Sequence, residues 1–169
     1  MEAGYWFPLI KLLHIGGLIL WLGPSGGAWL LLQLAKRQIS EQSVDFRKLY
    51  GEYLKFFWVE HLGLFLLIVS GLLLLGTYGY AALDWMWLKL KLALIICVIA
   101  PIEALDIWFG HIRLPRQFSS NQWRSEPKED EKGKINSYEF YERRFAPISL
   151  PPLLLTVVAI MWLAIAKPL

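Results

Sequence analysis

The strongest constraint on this chain is the length of its apolar runs. Residues 62–75, LGLFLLIVSGLLLL, hold no charged side chain. The block around them, from about 56 to 78, is long enough to cross a bilayer, which takes roughly 20 apolar residues. Three more blocks reach a similar length, at about 6–34, 85–109 and 147–166. A water-soluble fold has no use for this much apolar chain. Hydrophobic residues make up 56% of the 169 and the mean hydropathy is +0.44, where soluble domains hold roughly 45–50% apolar residues. Backbone polar groups in lipid must be satisfied internally, and continuous runs of this length do so as helices. The expectation is an all-α fold: one integral membrane domain over residues 1–169, a four-transmembrane-helix bundle.

Lysine and arginine set the orientation. The 36–55 connection carries Lys36, Arg37, Arg47, Lys48 and Lys55. The 113–145 connection carries Arg113, Arg116, Arg124, Lys128, Lys132, Lys134, Arg143 and Arg144. Four spans place both connections on one side, and thirteen of the seventeen basic residues lie there. By the positive-inside rule that side is cytoplasmic, and both termini and the short 79–84 turn face outward. Within the second connection, SEPKEDEKGK has no apolar residue to bury and reads as an exposed segment. The YEFYERRF that follows alternates aromatic and charged residues and suits an amphipathic helix on the membrane surface. Pro147 suits a helix start, where its missing N–H costs nothing. The location implied is the inner (plasma) membrane of a prokaryote, multi-pass, with the lipid bilayer as the first partner.

The stretch WLGPSGGAW, residues 21–29, puts helix breakers inside the first span. Gly16, Gly23 and Gly27 recur at i, i+7 and i+11, close to one stripe, and Gly23 and Gly27 form a small-xxx-small pair that lets helices approach closely. Pro24 removes one backbone hydrogen bond and favours a kink. Such a stripe makes a shallow trough for another helix or for a flat macrocycle.

Ionisable residues inside membrane spans are costly and mark functional sites by default. His14 lies about two turns into the first span, with Lys11 at the i−3 position that shares its face. Lys89 and Lys91 lie one to two turns into the third. All four fall in the outer half. An imidazole there can ligate iron and the ammonium groups can hold carboxylates. Equally, the lysines can snorkel to the headgroups while His14 hydrogen-bonds a neighbouring helix. In the inner half, Glu60 and His61 on the second span stand near Glu103, Asp106 and His111 on the third. Imidazole and carboxylate side chains such as His61, Glu103 and His111 suit a divalent metal or proton relay there, while His14 is the metal-ligand candidate of the outer half. The same inner residues serve as simple interfacial polarity.

Several classes are excluded. The chain has no P-loop, no dinucleotide-binding glycine pattern, no nucleophile elbow and no CxxC. Its single cysteine, Cys97, cannot form an internal disulfide. The basic residues read as topology signals, so no nucleic-acid partner is expected.

KLLHIGGLILWLG resembles the opening of the J-type protoporphyrinogen oxidases and of their relatives, the copper-resistance D membrane domains and other small integral membrane proteins. The shared pattern is His14, Trp21 and Gly23, followed on the third span by Trp87, Lys91 and Leu92. Two positions depart: the J-type Arg late in the first span has no counterpart near Leu30, and Lys89 stands where that family has a His. The copper-handling relatives lead one to expect Met or Cys ligands, and this chain has only Met1, Met86, Met161 and Cys97. The resemblance implies a haem-b-binding redox protein, an oxidoreductase with a porphyrin or quinone substrate. Taken with the outer-half residues above, this makes His14 an axial ligand, gives Lys91, with Lys89 or Lys11, the propionates, and lays the macrocycle in the trough at Gly23 and Gly27. The alternatives are a non-catalytic subunit packing into a homo-oligomer or a larger membrane complex through its glycine stripe, and a metal or proton transfer protein using the inner cluster.

Overall fold

The computed structural model describes residues 6–39, 44–119 and 137–166. Every regular element among them is helical: α1 (Trp6–Lys36), α2 (Val44–Tyr78), α3 (Met86–Leu94), α4 (Ala100–Ile107), α5 (Leu114–Ser119), α6 (Ser137–Phe140) and α7 (Ala146–Ala166). A 3₁₀ turn, Tyr80–Asp84, precedes α3, and π-helical turns at Ile95–Ile99, Trp108–Arg113 and Tyr141–Phe145 join α3 to α4, α4 to α5 and α6 to α7. Four continuous helical stretches are long and apolar enough to cross a membrane: Trp6–Lys36, Lys48–Tyr78, Met86–Arg116 and Ser137–Ala166. The SEPKEDEKGK segment lies outside the described residues.

The helices keep their apolar side chains on the outside. Leu31 is 69% exposed, Leu72 64%, Ile96 66% and Leu155 71%. Soluble proteins rarely expose contiguous apolar patches above a few hundred Å². Lipid tails accept such a surface and water does not.

The chain divides into two compact units, Met1–Tyr80 and Ala81–Leu169. In the first, α1 and α2 run antiparallel, since Phe7 meets Tyr78 edge-to-face at 5.7 Å while His14 reaches Leu67 and Ser70. Two glycines bring the backbones together. A Cβ on Gly17 would lie 2.8 Å from the Leu67 nitrogen, and one on Gly63 would overlap the Trp21 nitrogen and the Leu20 carbonyl carbon. Gly16, Gly23 and Gly27, the stripe expected from the sequence, have nothing within 4 Å of a built Cβ among the described residues. Helix packing inside this unit is therefore set by Gly17 and Gly63, and the Gly23 face takes no part in it. The α1 helix runs through Pro24 without interruption.

Two helices start earlier than their hydropathy suggests. Phe46, Tyr50, Tyr53 and Phe57 follow at i, i+4, i+7 and i+11, all are buried, and successive rings lie 6.0, 5.3 and 5.6 Å apart. Asp45, Lys48, Glu52 and Lys55 take the exposed positions, with Lys55 and Glu52 paired at 2.7 Å. This amphipathic pattern carries α2 back to Val44, into the stretch assigned above to a connection. The fourth helical stretch likewise begins at Ser137 and not at Pro147. YEFYERRF is helical, with Tyr138, Tyr141 and Glu142 buried and Arg143 exposed beside Glu139 at 3.0 Å.

The three π turns share a sequence position. Each ends two residues before a proline: Pro101, Pro115 and Pro147. In each case the residue just before the proline bonds back five positions, Ala100 to Ile95, Leu114 to Phe109 and Ala146 to Tyr141. A proline ring in an α-helix collides with the carbonyl four residues back. One wider turn moves that carbonyl away and lets the helix continue. Pro147 is thus an interior residue of the last span, which corrects its reading as a helix start.

Candidate functional site

The first unit gives His14 a defined seat. Its Nδ1 lies 3.1 Å from the Leu67 carbonyl oxygen and 3.1 Å from Ser70 Oγ, both on α2. Gly71 completes the seat: a Cβ there would sit 3.3 Å from His14 Cε1 and 3.7 Å from Nδ1. The Nδ1–Cε1 edge of the ring thus lies directly on α2. Hydrogen bonding of His14 to the neighbouring helix, one of the two readings open from the sequence, is present. Trp21, two turns along the same face of α1, is 2% exposed, and its indole N–H finds no acceptor among the described residues. Lys11 is exposed, with Nζ 4.2 Å from the centre of the Phe7 ring.

His61 also belongs to this unit. Its Nδ1 lies 2.6 Å from the Phe57 carbonyl oxygen, and its ring stacks on Phe57 at 6.2 Å. That oxygen can only accept, so a hydrogen bond at this contact needs the proton on Nδ1. This i−4 contact holds the imidazole along its own helix.

The second unit holds the other predicted residues. Lys89 is exposed and 3.9 Å from the exposed Asp84, a weak surface pair. Lys91 is partly buried. Glu103 and Asp106 are 5% and 9% exposed on α4, and Glu142 is 6% exposed. Tyr141 donates its hydroxyl to Asp106 Oδ1 at 2.6 Å. Phe109 packs beside this bond, with Phe140, Tyr141 and Phe145 rings 5.5, 5.7 and 5.7 Å away. His111 lies in the π turn after α4. Among the described residues, no three His, Cys, Asp or Glu side chains gather as a metal site would require.

Sequence reasoning missed Ser70, Gly71 and Tyr141. The pair Ser70–Gly71 interrupts the most apolar run of the chain, and a hydroxyl and a missing side chain inside such a run are the signal that pointed there.

Four membrane-length helices with apolar outer surfaces, and no strands among the described residues, define a multi-pass α-helical integral membrane protein. The model of the family described as predicted integral membrane protein (DUF2269) matches residues 8–168, and the chain belongs to that family. No curated protein and no solved structure matches it.

Proposed function

We propose that this protein binds haem b and acts as a membrane redox protein related to the J-type protoporphyrinogen oxidases. The observation that carries the reading is the seat of His14. Metal-bound imidazoles almost always donate their other ring N–H to a carbonyl, carboxylate or water, which fixes the ring and raises its basicity. His14 has that arrangement inside an apolar span, through Leu67 O and Ser70 Oγ. The His14, Trp21 and Gly23 resemblance supports it from the sequence.

Two residues of the first unit suit such a group: His14 would supply a nitrogen donor, and Lys11 is a cation one turn away for a carboxylate. Gly23 and Gly27 lie on the opposite side of α1 from His14, so they would not line a macrocycle that His14 ligates. Haem bound there supplies reversible one-electron transfer. The chain's own part is to hold the ring in one orientation, exclude water with apolar walls, and neutralise carboxylates. The test is the absorption spectrum of the purified protein with a pyridine haemochrome assay. A Soret band that is present in the parent and lost in His14→Ala is the expected result. A parent without haem rejects the reading.

The Gly23 face, which takes no part in packing inside the first unit, also favours a second reading, that of a non-catalytic subunit docking a partner helix. Co-purification of another membrane subunit, lost in Gly23→Leu while the parent carries no haem, distinguishes it.

A further inference from the structure

We infer that Ser70 is the positioning residue of His14, holding the imidazole as the Nδ1–H tautomer so that Nε2 is its electron-pair donor. The argument begins with the serine's single hydroxyl hydrogen. Ser70 Oγ lies 2.5 Å from Leu66 O and 3.2 Å from Leu67 O, the carbonyls four and three residues back on its own helix. A serine within a helix commonly gives its proton to such a carbonyl. With the proton spent there, the lone pairs of Oγ are what it offers to His14 Nδ1 at 3.1 Å.

The second neighbour of Nδ1 agrees. Leu67 O, also at 3.1 Å, can only accept. One nitrogen facing two acceptors is satisfied when it carries a hydrogen, and an unprotonated Nδ1 would set lone pair against lone pair. Ser70 is 2% exposed, so bulk water does not take the place of its hydroxyl. A neutral imidazole has one N–H, which leaves the lone pair on Nε2.

Each neighbour has a separate effect. Leu67 O alone leaves the ring free to pivot about a single hydrogen bond. Ser70 Oγ adds a second acceptor and stops the pivot, while Gly71 lets the ring edge lie against the helix without a Cβ in the way. Sharing the N–H between two acceptors also raises the donor strength of Nε2. The tautomer and its dependence on Ser70 stand without any cofactor. The effect on haem rests on the proposed function.

The test uses the full chain in lipid nanodiscs with ¹⁵N-labelled histidine. The His14 signals are those lost in His14→Gln. Without haem, the expected spectrum shows His14 Nδ1 protonated and Nε2 unprotonated. Ser70→Ala should mix or exchange-broaden that state, and Ser70→Thr, which keeps the hydroxyl, should restore it. With haem, Ser70→Ala should weaken retention by about tenfold or more, the usual scale for removing an outer-shell partner. It should also raise the midpoint potential, because a weaker donor stabilises ferric iron less. An Nε2–H tautomer in the parent overturns the inference. So does a Ser70→Ala spectrum identical to the parent's. A parent that binds no haem but shows the tautomer and its Ser70 dependence supports the positioning role and removes only the haem reading.

Discussion

Tyr141 donates its hydroxyl to Asp106 Oδ1 at 2.6 Å, and so ties the fourth helical stretch to the third through a buried carboxylate. Tyr141 is 5% exposed and Asp106 9%. A buried acceptor that loses its donor costs about 1–3 kcal/mol, and more where it is charged. Tyr141→Phe should therefore lower stability by at least that range, although it removes one oxygen and leaves the ring contacts with Phe109 in place. Asp106→Asn, which keeps an acceptor for the hydroxyl, should cost less. Unfolding followed in detergent by circular dichroism checks the order. Equal stability of parent and Tyr141→Phe would show that this bond contributes nothing net.

The glycines separate by where their missing side chains would go. Gly63→Ala would drive a methyl into the α1 backbone at Leu20 and Trp21, and Gly17→Ala into the α2 backbone at Gly63 and Leu67. Backbone cannot step aside as a flexible side chain does, so each should destabilise by about 1–3 kcal/mol, as overpacking does. Gly16→Ala and Gly23→Ala meet open space and should leave stability unchanged or slightly raised, since alanine is the better helix former. Four thermal melts decide this, and a Gly23→Ala loss equal to that of Gly63→Ala would refute it.

Among the described residues, Gly79 is the glycine whose backbone requires it. Its φ of +79° lies in the left-handed region, where it ends α2 and turns the chain toward Tyr80–Asp84. A side chain there costs roughly 1–2 kcal/mol. Gly79→Val should lose at least that in a chemical denaturation series, and Gly79→Asn, a residue that tolerates this region, should lose less.

The orientation proposed from the basic residues is tested with single cysteines on a Cys97→Ala background. Arg37→Cys, in the turn after α1, should label with a membrane-impermeant maleimide only from the cytoplasmic side. Ala81→Cys, exposed in the 3₁₀ turn, should label only from outside. The reverse pattern would invert the proposed topology.

Much of the fold was legible along the chain because the bilayer imposes a local rule. A run of about 20 apolar residues is a helix wherever it sits, since lipid offers the backbone no other partner. That rule located all four spans and placed His14, Glu103 and Asp106 inside them. It failed at the ends of α2 and of the fourth stretch, where Phe46, Tyr50, Tyr138 and Tyr141 continue a helix with a charged outer face. Hydropathy averages the two faces and loses the signal, and the buried face becomes visible only once it is packed.

What only the tertiary structure decided is which small and polar residues meet. The sequence presents Gly16, Gly23 and Gly27 on one stripe and Gly17 on another, and nothing local ranks them. The antiparallel register of α1 on α2 ranks them, bringing Gly17 and Gly63 to the crossing and leaving Gly23 out of it. The same register sets His14 against Ser70, 56 residues away in the chain. A histidine in an apolar run announces that it needs a partner, because leaving it unsatisfied in lipid is costly. It does not announce which one, since hydrogen bonds reach about 3 Å and distance across two helices is a property of packing, not of sequence.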